Sequence, residues 1–151
     1  MDEPFYKTGL SFECRRCSSC CRFQPGYVFL SRQDREALAG FFNLSTGDFM
    51  ERYCRWVDLG HCSRLSLIEK SNLDCIFWEG GGCSVYSVRP LQCRSYPFWF
   101  SSLSSPEAWK DLAAGCPGIN RGRKHGLEEI RSWLEQRRLE PYLGKTDDPC
   151  L

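Results

Sequence analysis

The sequence predicts an α+β fold, a small single domain with short helices, a small antiparallel sheet and a loop-rich cysteine cluster. Three observations lead there. Apolar residues recur three and four positions apart at 32–41 and at 126–139, the spacing of one helix face. Between those segments, short stretches that partly alternate apolar with polar residues are punctuated by glycine, the pattern of antiparallel hairpins. Finally, eleven of the 151 residues are cysteine, and four of them crowd into the stretch from Cys14 to Cys21. At this length one domain over residues 1–151 is expected, able to bury about two thirds of its unfolded surface.

In chain order, residues 1–13 read as an extended lead-in whose Phe5, Tyr6 and Phe12 are available to pack over the cysteines. Gln24-Pro25-Gly26 is a turn signal, and a short strand follows at 27–30. Ser31-x-x-Asp34 is a capping box with Asp in the Glu position, and Ala37, Leu38, Phe41 and Phe42 supply the apolar face of a helix over 32–41. Ser45 or Thr46 caps a second short helix through Tyr53. Residues 54–59 and 65–69 alternate in part, with Gly60-His61 to turn between them. Residues 75–78 and 83–86 flank Glu79-Gly80-Gly81-Gly82, a second hairpin that keeps Cys75 and Cys83 in one region.

Pro90 suits the first turn of a short helix that carries Cys93 and Arg94 and ends before Pro97. Tyr96-Pro97-Phe98-Trp99-Phe100 reads as hydrophobic core or a strand, because large aromatics dominate ordinary cores. Ser105-Pro106-Glu107 starts a helix, Gly115 stops it, and Cys116-Pro117-Gly118 is a turn that presents a thiol. Leu127, Ile130 and Leu134, with Trp133 beside them, mark an amphipathic helix to Leu139. Glu128 and Glu129 sit at the positive end of its dipole and Arg137 and Arg138 at the negative end. The polar tail at 141–151 is expected to fray.

The run Cys14, Cys17, Cys20, Cys21 has the spacing Cys-x2-Cys-x2-Cys-Cys. Two-residue gaps let a tight turn aim both sulfurs inward, which is why they recur in sites for zinc and iron–sulfur clusters. Adjacent Cys20 and Cys21 point roughly 100° apart in a helix and to opposite faces in a strand. Either the run serves two metal centres, or one thiol is spare. An odd cysteine count in a chain without an export signal suits reduced thiolates in the cytoplasm better than a disulfide framework.

Four later stretches extend the pattern: Cys75-Ile76-Phe77-Trp78, Gly82-Cys83-Ser84-Val85-Tyr86, Arg89-Pro90-Leu91-Gln92-Cys93-Arg94-Ser95-Tyr96-Pro97-Phe98 and Cys116-Pro117-Gly118. Together with the run, they resemble the CxxCxxCC cysteine-cluster family, described as a zinc- or iron-chelating domain. The resemblance covers residues 12–122, leaving 123–140 as a C-terminal amphipathic helix and 141–151 as a tail. Ser19, Ile76 and Tyr96 stand where that family often has Gly, Pro and Phe, and none of these departures removes a thiol. What the resemblance implies is a metal-binding protein whose ligands are Cys14, Cys17, Cys20, Cys21, Cys75, Cys83, Cys93 and Cys116, holding zinc or iron, with an iron–sulfur cluster among the forms. The alternative it leaves open is an iron–sulfur oxidoreductase or modifying enzyme.

Eight thiolates suffice for two four-sulfur sites, or for one cluster and a reactive pair. A four-thiolate zinc site carries a net charge of about −2, and Arg15, Arg16, Arg22, Arg89 and Arg94 lie close to ligands in sequence. Arg89 and Arg94 are read as compensating that charge. Cys54, Cys62 and Cys150 fall outside the family-like blocks and are expected to pack as small inert hydrophobes.

Composition argues against other classes. The formal net charge is +1, and the one basic patch, Arg121-Gly122-Arg123-Lys124-His125, is too short to argue for nucleic acid. Neither a signal peptide nor an apolar stretch of membrane-spanning length is present, so a cytoplasmic protein without a membrane partner is expected. His61 and His125 are the two histidines, neither placed beside a nucleophile, and His61 next to Cys62 is read as polar turn surface. Gly80-Gly81-Gly82 lacks the Lys-Ser/Thr of a phosphate loop. Neither the fourth cysteine and proline of a two-cluster ferredoxin nor a Cys-x3-Cys-x2-Cys spacing is present. A metal ion is therefore the expected partner, with a protein partner left open and no catalytic residue assigned.

Overall fold

The computed structural model describes residues 2–15 and 26–151 as a mixed α+β arrangement of short helices and two-stranded antiparallel sheets. Cys17, Cys20 and Cys21, together with Arg16, Ser19, Arg22, Gln24 and Pro25, lie outside the described residues. The chain divides into two compact units, one of Met1–Ser19 with Ser95–Arg138 and the other of Cys20–Arg94 with Leu139–Leu151.

In the second unit, helix α1 (Arg32–Phe41) starts as the sequence predicts. Ser31 Oγ accepts the Asp34 N–H at 3.0 Å and Asp34 Oδ2 accepts the Ser31 N–H at 2.9 Å, so two otherwise orphaned donors are satisfied reciprocally. Helix α2 (Thr46–Tyr53) is capped by Ser45. Strands β2 (Cys54–Asp58) and β3 (Ser63–Leu67) then form the expected antiparallel pair, with Cys54 opposite Leu67 and Asp58 opposite Ser63. The next hairpin is much shorter than its sequence suggests: β4 (Trp78–Glu79) pairs with β5 (Gly82–Cys83), and the flanking residues turn away. Residues 27–30 form a single bridge, Phe29 to Ser66, rather than a strand. Helix α3 (Leu91–Ser95) follows the buried Pro90 as expected. The core of this unit gathers Leu30, Leu38, Phe49, Leu65, Leu67, Phe77, Val85 and Leu143.

Leu143 belongs to the tail, and the expectation that 141–151 frays is corrected. The Leu143 N–H donates to Leu30 O at 2.9 Å and its carbonyl accepts the Leu65 N–H at 3.0 Å, which places the tail between two core residues. Its side chain is 3% exposed, a burial that contributes roughly 1.5–3 kcal/mol. Arg35 NH1 donates to Asp147 Oδ1 at 2.9 Å, a partly buried ion pair. Polar composition misled here because one leucine, one ion pair and backbone pairing are enough to hold a short segment.

In the first unit, strand β1 (Leu10–Phe12) pairs antiparallel with β6 (Ile119–His125), Leu10 opposite His125 and Phe12 opposite Ile119. Residues 121–125, read as a basic patch, are thus strand. Helix α4 (Pro106–Asp111) is capped by Ser105 with Pro106 in its first turn, and a 3-10 turn over Leu112–Ala114 ends at Gly115. Residues 96–100 form a turn, not a strand, and Phe98 stacks on Trp109 in a core completed by Leu103, Ile119 and Ile130. Ile130 comes from helix α5 (Leu127–Leu139), the amphipathic helix the sequence predicts.

Glu129 on α5 anchors the far end of β6, accepting from Arg123 at 2.7 Å and lying 3.0 Å from His125 Nδ1. The hydrogen bond from Arg123, with a smaller contribution from His125, holds its carboxyl down to about 2 against an ordinary 4.5. A folded-state value below the unfolded one stabilises the native state above about pH 4.5, and that stability is lost as pH falls toward about 2. Glu129→Gln should therefore be less stable than wild type at neutral pH, with the gap closing through that window. Urea midpoints measured from pH 7 downward check this, and a gap that persists unchanged at the acid end contradicts it.

Candidate metal centre

The first unit fixes the entry of the cysteine run. The Glu13 N–H donates to Gly118 O at 3.2 Å, and a Cβ added at Gly118 would lie 2.0 Å from Glu13 O, so only glycine admits this approach. Glu13 immediately precedes the exposed Cys14, and Gly118 lies two residues past the half-buried Cys116. Arg15, on the other side of Cys14, lines one open cavity with Cys116, Pro117 and Arg121. The two guanidiniums give this cavity a positive wall.

The second unit fixes the exit of the run. Gln92 Oε1 accepts the Phe29 N–H at 3.0 Å and its Nε2 donates to Tyr27 O at 2.7 Å. Its neighbour on α3 is Cys93, whose N–H donates to Pro90 O at 2.9 Å. Asp34 links this helix to α1 as well, because the Oδ1 of the same capping carboxylate accepts the Leu91 N–H at 3.0 Å. Gly26, the first described residue after the run, donates its N–H to Glu69 Oε1 at 3.0 Å, and Glu69 is bridged to Cys75. Cys83 faces Trp78 across the short hairpin, and the Trp78 N–H donates to Cys75 O at 2.9 Å. Gly26, Tyr27 and Phe29, described residues that follow the run in sequence, are thus tied to the segments carrying Cys75 and Cys93, with Cys83 one hairpin away.

Sequence reasoning missed these positioning contacts. Gln92 stands inside the Arg89–Phe98 stretch, but its partners lie 63 and 65 residues away in the chain. Of the arginines, Arg94 Nε donates to Arg89 O at 3.0 Å, and the Arg89 guanidinium lies 3.8 Å over the Tyr86 ring. Both cations are held on the segment that carries Cys93.

The cysteines outside the family-like blocks divide. Burial pushes the Cys54 thiol up to about 12, and Arg35 opposes this only in part. It stays protonated near neutral pH and is a poor ligand, as expected. Cys62 and Cys150, expected as inert thiols, are instead joined in a disulfide with Cα atoms 5.9 Å apart, across a sequence separation of 88. Among the described residues, the group of three or more ligand-type side chains with all ligand atoms within 4.8 Å of one another is His61, Cys62 and Cys150. Among the described residues, Cys75, Cys83 and Cys93 do not form such a set.

The cysteine arrangement can be set beside known proteins. A family model described as "CxxCxxCC: Putative zinc- or iron-chelating domain" matches residues 13–117. The chain belongs to the CxxCxxCC family. Its matched segment begins at Glu13 and ends at Pro117, so it contains the run and all four downstream family-type cysteines, whereas Cys150 lies beyond it. A CxxCxxCC domain supports a metal-binding role, with zinc or iron as the metal. The donor chemistry fits: thiolates suit either ion, and arginines stand beside several of the cysteines. Among curated relatives, the uncharacterized protein MJ0661 of Methanocaldococcus jannaschii is 27% identical over 95 residues, 62% of this chain and 48% of that protein. The chain spans about half the length of this relative. No solved structure matches it. Among the described residues, no helix is long and apolar enough to cross a membrane.

Proposed function

We propose that this CxxCxxCC protein is a chelating module, in which the thiolates of Cys14, Cys17, Cys20, Cys21, Cys75, Cys83, Cys93 and Cys116 hold zinc or iron, the latter as an ion or an iron–sulfur cluster. Two sets of contacts support the reading. Glu13, just before the run, is bonded to Gly118 beside Cys116, and Gly26 and Phe29, the described residues after it, are bonded to Glu69 and Gln92, which neighbour Cys75 and Cys93 by pairing and by sequence. When bound, the metal supplies a covalent staple between chain segments, and its binding free energy becomes folding free energy. Gln92, Glu69 and Gly118 hold the ligand-bearing backbone in place. Arg89 and Arg94 offset the excess thiolate charge near Cys93, as Arg15 does near Cys116. A reducing compartment such as the cytoplasm keeps these sulfurs as thiols, and we assign the protein there.

Serine at a ligand and serine at an inert cysteine separate this reading from bulk thiol chemistry. Cys14→Ser and Cys93→Ser should each lose most of the bound metal and some soluble yield, while Cys54→Ser keeps both. Arg94→Ala should weaken metal binding less than Cys93→Ser does. Metal analysis of the four purified variants checks this, and equal metal content across them contradicts the ligand set.

A further inference from the structure

We infer that His61, Cys62 and Cys150 form a second metal site, made of two thiolates and one imidazole, for a zinc-type divalent cation, available when the Cys62–Cys150 disulfide is reduced. The three ligand atoms already lie within 4.8 Å of one another, and ligands around a tetrahedral zinc sit roughly 3.5 Å apart. Side-chain adjustment alone therefore suffices. The backbone on both sides is held by bonds other than the disulfide. Cys62 O accepts the Leu59 N–H at 2.8 Å in the β2–β3 turn. The Cys150 N–H donates to Tyr142 O at 2.9 Å and Cys150 O accepts from Arg64 Nε at 3.1 Å.

The imidazole is set for the role. His61 Nε2 lies 2.9 Å from the Leu151 backbone oxygen, and an oxygen of this kind only accepts. Nε2 is therefore the donor in that bond, which leaves Nδ1 as the nitrogen through which a neutral ring would ligate, with an outer hydrogen bond to orient it. Two thiolates and a neutral imidazole bring a dication to net zero, so this site needs no compensating arginine. With three protein ligands and an exposed His61, the fourth position is left to water, which makes this an open, exchangeable site rather than a closed structural one. Cys150 lies outside the segment matched by the family, so the site is additional to the cysteine set proposed above and independent of it.

The chemistry balances with a dithiol as reductant. Two electrons pass from the dithiol to the disulfide, giving the Cys62 and Cys150 thiols and the reductant's own disulfide, and the cation then displaces the two thiol protons. A disulfide oxidant accepts two electrons from the two thiolates and, with two protons from water, becomes its own dithiol, while the Cys62–Cys150 bond re-forms and the cation is released.

The test is zinc uptake by the full chain, measured without oxygen in the disulfide form and after reduction, with cobalt(II) as a spectroscopic probe of thiolate ligation. Reduction should add one equivalent of zinc in wild type but none in Cys62→Ser/Cys150→Ser. His61→Gln, which leaves the disulfide intact, should still fold and bind that equivalent about tenfold or more weakly. Cys93→Ser should keep it, so failure of the family-type set and failure of this site look different. Equal uptake by the two redox forms of wild type, uptake by the double variant equal to wild type, or unchanged affinity in His61→Gln would overturn the proposal.

Discussion

Serine in place of Cys150 lowers the stability of the second unit by about 2–5 kcal/mol in non-reducing solution, the usual cost of losing a native disulfide. The bond joins residues separated by 88 positions, so its loss frees a long closed loop in the unfolded chain. Cys62→Ser should cost the same. The double variant should cost no more than either single one, since both remove one bond. A dithiol should bring wild type down to the variants, while the tail stays docked through Leu143 and the Arg35–Asp147 pair. Urea unfolding with and without reductant reads all of this, and variants as stable as wild type without reductant would contradict the bond.

Alanine in place of Gly118 is the second large effect, about 3 kcal/mol. The new Cβ would meet Glu13 O at 2.0 Å and Phe12 Cε2 at 3.2 Å. Overpacking costs about 1–3 kcal/mol and the displaced Glu13 to Gly118 hydrogen bond about 1 more. Because Glu13 leads into Cys14, the same change should also lower metal content. Gly115→Ala, where a Cβ meets nothing within 4 Å, should stay within about 0.5 kcal/mol. Thermal melts and metal analysis of the pair check this, and matching behaviour of the two variants would contradict it.

The elements legible in the sequence were those whose cause is local. The Ser31–Asp34 box, Ser45 and Ser105 as caps and the β2–β3 pair all follow from residues a few positions apart. Strand β6 was hidden because, of its seven residues, Ile119 alone is buried, so it shows no alternation, and its partner β1 lies more than 100 positions earlier. The tail was hidden for a related reason, since its anchors are backbone bonds to Leu30 and Leu65 that leave no mark on composition. At the candidate centre, the family-type cysteines could be named from the sequence. Gln92, Glu69 and the second role of Asp34 could not, because each acts on a segment 43 to 65 residues away. The pairing of Cys62 with Cys150 had no sequence signal beyond the presence of two cysteines.

The most direct test of the account is the metal content of the wild-type protein purified without oxygen, by elemental analysis for zinc and iron, sulfide determination and an absorption spectrum. Zinc or iron is expected in at least stoichiometric amount, with sulfide and visible absorption where the iron is held as a cluster. A folded, soluble chain that carries neither metal and takes up neither when reduced would contradict it.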